Sequence, residues 1–466
     1  MSNKYEERLG TQRMLPLVLS MALPGVAAQL VNLLYSIVDR IYIGHIPDVG
    51  TDALAGIGVT SSVIIFVAAF AQIVAGGGAP LASMALGKGD RKEAGEFLGN
   101  GLFLLIVFSV ITCIPAFIFM KPILSVTGAS DATMPYAVDY LTIYLTGTFF
   151  VMISTGMNNF INAQGRPGVA MISVVIGALL NIILDPLFIF VFDMGVKGAA
   201  LATVISQMCS AVWILTFLFS KKASLRIEKQ YLKPRGKVIG KMTALGIAPF
   251  IMASTESLVG FVLNGMLEKF GDIHVSALTV MQSAMQFVGV PSTGFSTGFV
   301  PVISYNFGHG NMKRVKECFK IAMTVMFTFG AASVLLMIIF PGFTASLFTS
   351  DTKLIETVSQ FMPVFMAGMT IFGLQRTCQN MFVALGQAKI SLFIALLRKV
   401  LLLVPLALIL PHFMGVTGVY AGEAIADALA AICCTLIFAF KFPKIIKTNE
   451  KVSRELHSQK LFYQAS

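Results

Sequence analysis

The chain has 466 residues, 56% hydrophobic and only 12% charged, with a formal net charge of +11. An average soluble domain carries about 25% charged residues, so a soluble globular fold is excluded. The positive excess does not point to nucleic acid, because the Lys and Arg residues follow the ends of apolar segments.

Twelve apolar spans are expected, at 11–45, 52–86, 92–120, 132–160, 166–192, 196–220, 237–268, 273–307, 313–340, 352–383, 388–411 and 415–440. Each is long enough to cross about 30 Å of hydrocarbon. A helical class follows, since a helix satisfies its own backbone polar groups in lipid. Of the 34 Lys and Arg, 26 fall on one side of these spans and four on the other. The positive-inside rule then places both termini in the cytoplasm, as an even number of spans requires. No cleavable signal peptide is expected, because the basic start leads into an overlong apolar segment. The six cysteines have no CxxC spacing and read as small membrane-core residues.

The first span carries Gln29, Asn32, Ser36 and Asp39 at steps of three, four and three, which is one polar stripe on a helix. Tyr35 lies one turn before Asp39, within reach of its carboxylate. A carboxylate at bilayer depth costs about 2.5–3.5 kcal/mol on insertion scales, so it calls for a partner, a proton or a function. After the second span, Asp90 with Glu93 predicts a helix N-cap and capping box behind a tight glycine turn.

The fifth span holds Asn181, Asp185 and Pro186. Asn181 and Asp185 share a face, and Pro186 deprives the Ile182 carbonyl of its helix donor. Such a group can hold a proton or coordinate a small hard cation through oxygens, with Thr203 of the next span as a further ligand. The basic stretch 221–241 reads as a cytoplasmic linker whose charges fix topology.

The seventh span carries Glu256, with Ser254 and Ser257 close by; this acid either faces a cavity or pairs with Arg376 or Arg398. The eighth has Gln282 and Gln286 one turn apart, flanked by Met281 and Met285. Flexible thioethers beside aromatic rings suit a pocket that accepts many shapes. Residues 294–298 match the hydrolase pattern G-x-S-x-G, but they sit inside a membrane span without a base. They are read as permitting a bend or a close helix approach. There is no Walker A loop and no HExxH, so no enzyme is expected and no catalytic residue is assigned. In the last span, Glu423 and Asp427 are expected to face Arg398 and hold the second half together.

The punctuation repeats. Gly87-Lys88-Gly89-Asp90 is echoed by Gly308-His309-Gly310-Asn311, and Ala163-Gln164-Gly165 by Ala384-Leu385-Gly386, both 221 residues on. Gly195-Val196-Lys197-Gly198 is echoed by Gly415-Val416-Thr417-Gly418 after 220. Six spans per half give both halves one orientation, related by a pseudo-two-fold axis along the membrane normal. The expected organisation is an N-terminal six-helix lobe at 1–220, a linker at 221–236, a C-terminal six-helix lobe at 237–440 and a partly frayed tail at 441–466.

Twelve spans, two parallel halves, the Asp of the first helix and Asn-x3-Asp-Pro in the fifth together resemble the multidrug and toxic compound extrusion (MATE) family, in its bacterial multidrug exporter branch. The resemblance covers nearly the whole chain. It implies export of lipophilic, mostly cationic drugs from the bacterial cell membrane in exchange for H⁺ or Na⁺, by alternating access. It implies a cation-coupling network of Asp39, Asp185, Asn181, Tyr35 and Thr203, with Na⁺ placed at Asp39, Asp185 and Asn181, and Pro24 as a first-helix hinge beside Pro186. Glu256 matches a seventh-helix acid of sodium-driven members. The chain departs from that pattern in the tenth helix, which offers Arg376 and Gln379 where such members have an acid. Substrate contacts are expected at Glu256, Gln282, Gln286, Met281, Met285, Asn32 and Ser36. No cofactor beyond the coupling ion, no nucleic-acid partner and a monomer among membrane lipids complete the expectation. The alternative on the same architecture is a flippase of lipid-linked saccharides, for which Arg376 with Arg398 would bind pyrophosphate.

Overall fold

Each apolar run folds as helix, for the backbone reason given above, and the described residues contain no strand. The computed structural model describes residues 3–47 and 49–465. Within that range the side chains of 3, 4, 257, 258, 261, 453, 454 and 456–465 lie outside the description, Ser257 among them.

Twelve spans are formed when one bent pair is counted as a single crossing. They are α1 (Met14–Gly44), α2 (Gly50–Gly87), α3 (Arg91–Ile118), α4 (Met134–Ala163), α5 (Pro167–Val191) and α6 (Gly195–Phe219) in the first half. The second half has α7 (Gly236–Glu268), α8 (Asp272–Gly308), α9 (Met312–Ile339), α10 (Thr352–Ala384), α11 (Ala388–Met414) and α12 (Val416–Ala465). Helix α4 bends by 57° between Thr146 and Thr148. Helix α12 continues helical through the segment expected to fray. Large apolar side chains such as Leu34, Ile118, Val191 and Phe440 point outward, as lipid contact requires.

The repeat seen in the letters is also a repeat in conformation. Gly89 and Gly310 have φ of 78° and 81°, Gly165 and Gly386 79° and 69°, and Gly195 and Gly415 52° and 59°. Only glycine enters this left-handed region without strain, so each pair makes a similar turn between consecutive helices. Asp90 caps α3 by accepting from the Glu93 amide at 2.9 Å, and Asn311 caps α9 by accepting from the Arg314 amide at 3.3 Å. The capping box expected at Asp90 is not closed. The Asp90 amide that the box needs donates to the Ala85 carbonyl at 3.0 Å, and Lys241 on α7 takes the Glu93 carboxylate at 2.8 Å.

One apolar core is shared by both halves and includes Leu9, Leu86, Phe299 and Phe307; two others are private, one among residues 43–200 and one among residues 259–426. The shared core lies beside the basic turns that follow α2 and α8. There the two helices cross at their symmetry-related glycines. A methyl group on Gly87 would stand 2.0 Å from the Tyr305 carbonyl oxygen, and one on Gly308 2.0 Å from that of Met84. Ser83 completes the crossing by donating to the Pro301 carbonyl at 2.9 Å. Gly308→Val should therefore hold this crossing open. A cysteine placed at buried Ser83 should then react with an impermeant maleimide added on the basic-loop side, and stay unreactive when Gly308 is kept.

Two further ties span the halves on that side. The short helix Asn3–Thr11 pairs Glu6 with Arg91 at 3.0 Å, while its Leu9 carbonyl accepts from Asn306 at 2.8 Å and from Arg314 at 3.1 Å. Burial pushes the Glu6 carboxyl above its ordinary range, with Arg91 pulling it back. The 221–236 linker is held rather than loose. Gln164 accepts from the Leu225 amide at 2.9 Å, Asn100 accepts from the Arg235 amide at 2.8 Å, and the Arg235 guanidinium pairs with Glu96.

Candidate functional site

Between the halves lies a cavity of about 1090 Å³, walled by residues of both. Helix α1 forms one wall because it packs on α5 within its own half and on α8 across the divide. The crossing with α8 depends on small residues: a methyl on Gly25 would meet the Gly294 carbonyl oxygen at 2.5 Å, and one on Gly298 the Ala22 Cα at 2.4 Å. The G-x-S-x-G stretch is thus a helix contact, as its setting indicated.

The α1 stripe faces the cavity in full: Gln29, Asn32, Ser36 and Asp39 all line it, as does Tyr35. The Ser36 hydroxyl donates to the Asn32 carbonyl at 2.9 Å. Tyr35 sits beside Ser36, and the described residues show no hydrogen bond from it to Asp39. The Asp39 and Asp185 side chains come within hydrogen-bonding reach of one another. Asn181 Nδ2 donates to Asp185 Oδ1 at 3.1 Å and to Thr203 Oγ1 at 3.4 Å. Asp39 Oδ1, Asp185 Oδ2 and Asn181 Oδ1 are buried without a partner among the described residues.

Three orphaned oxygens in one place form an acceptor set without a donor. Two like charges in contact at this depth need a proton or a cation between them. Hard oxygen donors suit either. No set of three or more His, Cys, Asp or Glu gathers in metal-binding geometry among the described residues. A cation here would lean on two carboxylates, the Asn181 amide oxygen and the Thr203 hydroxyl.

Helix α5 continues to Pro186 and then passes into a π turn over Leu187–Val191. The missing proline N–H accounts for the wider turn. Pro24 lies within α1, which runs unbroken from Met14 to Gly44. The structure shows a continuous helix at that expected hinge.

On the second half, Gln282, Met285 and Gln286 line the cavity. Met281 does not. It is fully buried in the private core of its half, because one residue along a helix turns a side chain by about 100°. Met362 and Met366 are buried in the same core, whereas Met369 reaches the cavity. Glu256 is exposed and lines the cavity; no cation stands within ion-pair distance of it among the described residues, so the pairing with Arg376 or Arg398 is not formed. Asp427 instead binds Arg398 at 2.7 Å, with the two side chains 1% and 8% exposed. Glu423 lies near Lys399 and Arg398 on the cavity wall.

Sequence reasoning passed over several lining residues. Tyr140 and Tyr144 stack at 6.2 Å over the acid pair's wall, and their one-turn spacing beside a polar neighbour was the available signal. Asn158, Asn159 and Asn162 of α4 line the same half, and Ser154 donates to Gln207 at 2.6 Å. Lys399 faces the cavity beside Arg398. A lysine in mid-span was signal enough.

The MatE family model matches residues 24–187 and 248–409, one block in each half. The multidrug export protein MepA of Staphylococcus aureus (strain NCTC 8325 / PS 47) is 26% identical over 426 residues, covering 89% of this chain and 91% of that protein. The protein of the same name from Staphylococcus haemolyticus is 25% identical over 416 residues, with the same coverage. A crystal structure of MATE in the bent conformation superposes with a TM-score of 0.88 at 22% identity, over 96% of this chain and 99% of that one. The two matched blocks take in most of the sequence and each contains one wall of the cavity, so the chain belongs to the MatE family of multi-pass membrane transporters.

Proposed function

We propose that this protein is a secondary active antiporter of the bacterial cell membrane, exporting lipophilic, mostly cationic drugs in exchange for H⁺ or Na⁺. The observation that carries this reading is Asp39 on the wall of a cavity large enough for a drug, with fully buried Asp185 within reach behind it and orphaned oxygens on both. An acceptor set without donors binds a proton or small cation tightly, and the same charge attracts a lipophilic cation. The two cannot neutralise it at once. Ion and drug therefore compete, and that competition couples their fluxes.

With the basic loops in the cytoplasm, the α2–α8 glycine crossing closes the cytoplasmic side. Ion binding from outside neutralises the acid pair and releases the drug. Return to the cytoplasm-open form frees the ion and restores the charge. The membrane potential contributes about 2.3 kcal/mol per charge per 100 mV. The protein acts as a monomer with no cofactor, and its cargo is held by Gln282, Met285, Gln286, Asn32 and Glu256. The flippase reading is weaker. The three cations of the second half are offset by Glu256, Glu423 and Asp427, which would repel a pyrophosphate.

The test is ethidium flux in proteoliposomes under imposed gradients. A pH gradient or a sodium gradient, applied alone, should drive ethidium against its concentration. Ethidium that only equilibrates under both gradients overturns the antiport reading.

A further inference from the structure

The second half carries a basic surface, away from the cavity, that transport leaves unused. On the outer face of α12, Ile432, Leu436 and Phe440 follow one another at steps of four and are exposed, Phe440 by 72%. Such a face meets lipid. The helix runs on without a break, and the same face continues as exposed Lys444, Lys447 and Lys451, at further steps of four, three and four. On α9 the exposed stripe reads Phe327, Thr324, then Lys320, Lys316 and Lys313. Aromatic rings join the two helix ends: Phe319 of α9 stacks on Phe438 of α12 at 4.6 Å and lies 5.6 Å from Phe442.

Topology asks only for positive charge on this side. The first half uses that charge differently. There Arg91 pairs with Glu6, Arg235 with Glu96 and Lys241 with Glu93. Helix α6 ends at Phe219, and the linker turns back to lay Tyr231 on α3. A methyl on Gly95 would stand 2.6 Å from the Tyr231 ring, and one on Gly99 2.3 Å from its carbonyl oxygen. At the same register 221 residues on, those glycines are replaced by Lys316 and Lys320, and both are exposed. No lysine of 312–320 or 441–451 forms an ion pair among the described residues. Against seven lysines these two segments hold two acids, Glu317 and Glu450.

An occupant of this surface meets apolar side chains as far as Phe440 and ammonium groups one turn beyond. That profile belongs to an amphiphile with a negative head. We propose that the α9–α12 edge of the second half binds anionic phospholipids of the leaflet on the basic-loop side. The acyl chains lie along the apolar stripe, and the phosphate sits among Lys316 and Lys320 of α9 and Lys444, Lys447 and Lys451 of α12. A free phosphate gains nothing from the apolar part of the stripe. This inference is independent of the antiport reading.

The test titrates the purified full chain, in nonionic detergent at physiological salt, against fluorescent phosphatidylglycerol and phosphatidylcholine, read by polarisation. The wild type should bind phosphatidylglycerol at least about tenfold more tightly, since one lysine at an anionic headgroup contributes about fivefold. The triple variant Lys444→Gln, Lys447→Gln, Lys451→Gln and the double variant Lys316→Gln, Lys320→Gln should each cut that preference about fivefold or more. Arginine at the same positions should keep it. Lys221→Gln with Lys222→Gln, at exposed lysines of the same side, should leave it unchanged. Equal affinity of the wild type for the two lipids overturns the surface, and that result needs no variant to fold. A preference unmoved by either stripe variant also overturns it. So does one that falls as far with Lys221 and Lys222 as with the stripes, for charge would then act without regard to place.

Discussion

Asp39→Asn and Asp185→Asn should each abolish uphill drug efflux while leaving the protein folded. The substitution is isosteric and removes only the capacity to carry charge. At position 185 the new amide oxygen can still accept from Asn181, so the 3.1 Å bond that orients the pair survives. What is lost is the competition between ion and drug. A neutral pair neither binds a coupling ion tightly nor changes its attraction for a cation when the ion leaves. In everted vesicles the accumulation ratio of ethidium should fall to unity in both variants, at wild-type expression and melting temperature. Asn181→Ala should weaken transport less, because it removes a donor and a cation ligand but keeps both acids. Wild-type accumulation in either Asp variant would remove this pair from the coupling step.

The second large effect is expected on stability. Asp427→Ala should destabilise the second half by about 3–5 kcal/mol, since it strands the Arg398 guanidinium in a packed interior. The pair spans α11 and α12 at 2.7 Å and both side chains are almost fully buried. The π turn Leu397–Leu403, which holds Arg398, has no other ion pair to α12 among the described residues. Joint replacement, Arg398→Met with Asp427→Leu, should recover most of the loss, because no charge is then left buried. Thermal melting of the three forms in one detergent checks this. Equal losses in the single and double variants would mean that the pair itself, not the stranded charge, sets the stability.

Much of the architecture was legible before any coordinates. Charge segregation and apolar length gave the twelve crossings, and the glycine echo 220 or 221 residues on gave the two halves. The α1 stripe was correct in every member because residues on one helix keep a fixed angular relation. Local rules failed where another element competed. Glu93 left the expected box for Lys241, and the linker expected as a tether is fastened by Gln164 and Asn100.

The chain's own order of residues settles its passage through the membrane, its internal repeat and the polar face of each helix. These depend on length, apolar content and a helical period, all of which are local. Which faces meet is a different matter. Asp39 finds Asp185 because α1 packs on α5, and that azimuth is set by the glycine contacts of α1 with α8. The same packing turns Met281 into the core, gives Asp427 to Arg398 and, among the described residues, leaves Glu256 and Arg376 without an ion pair. Helical periodicity orders side chains around one axis; only the contacts between axes choose their neighbours.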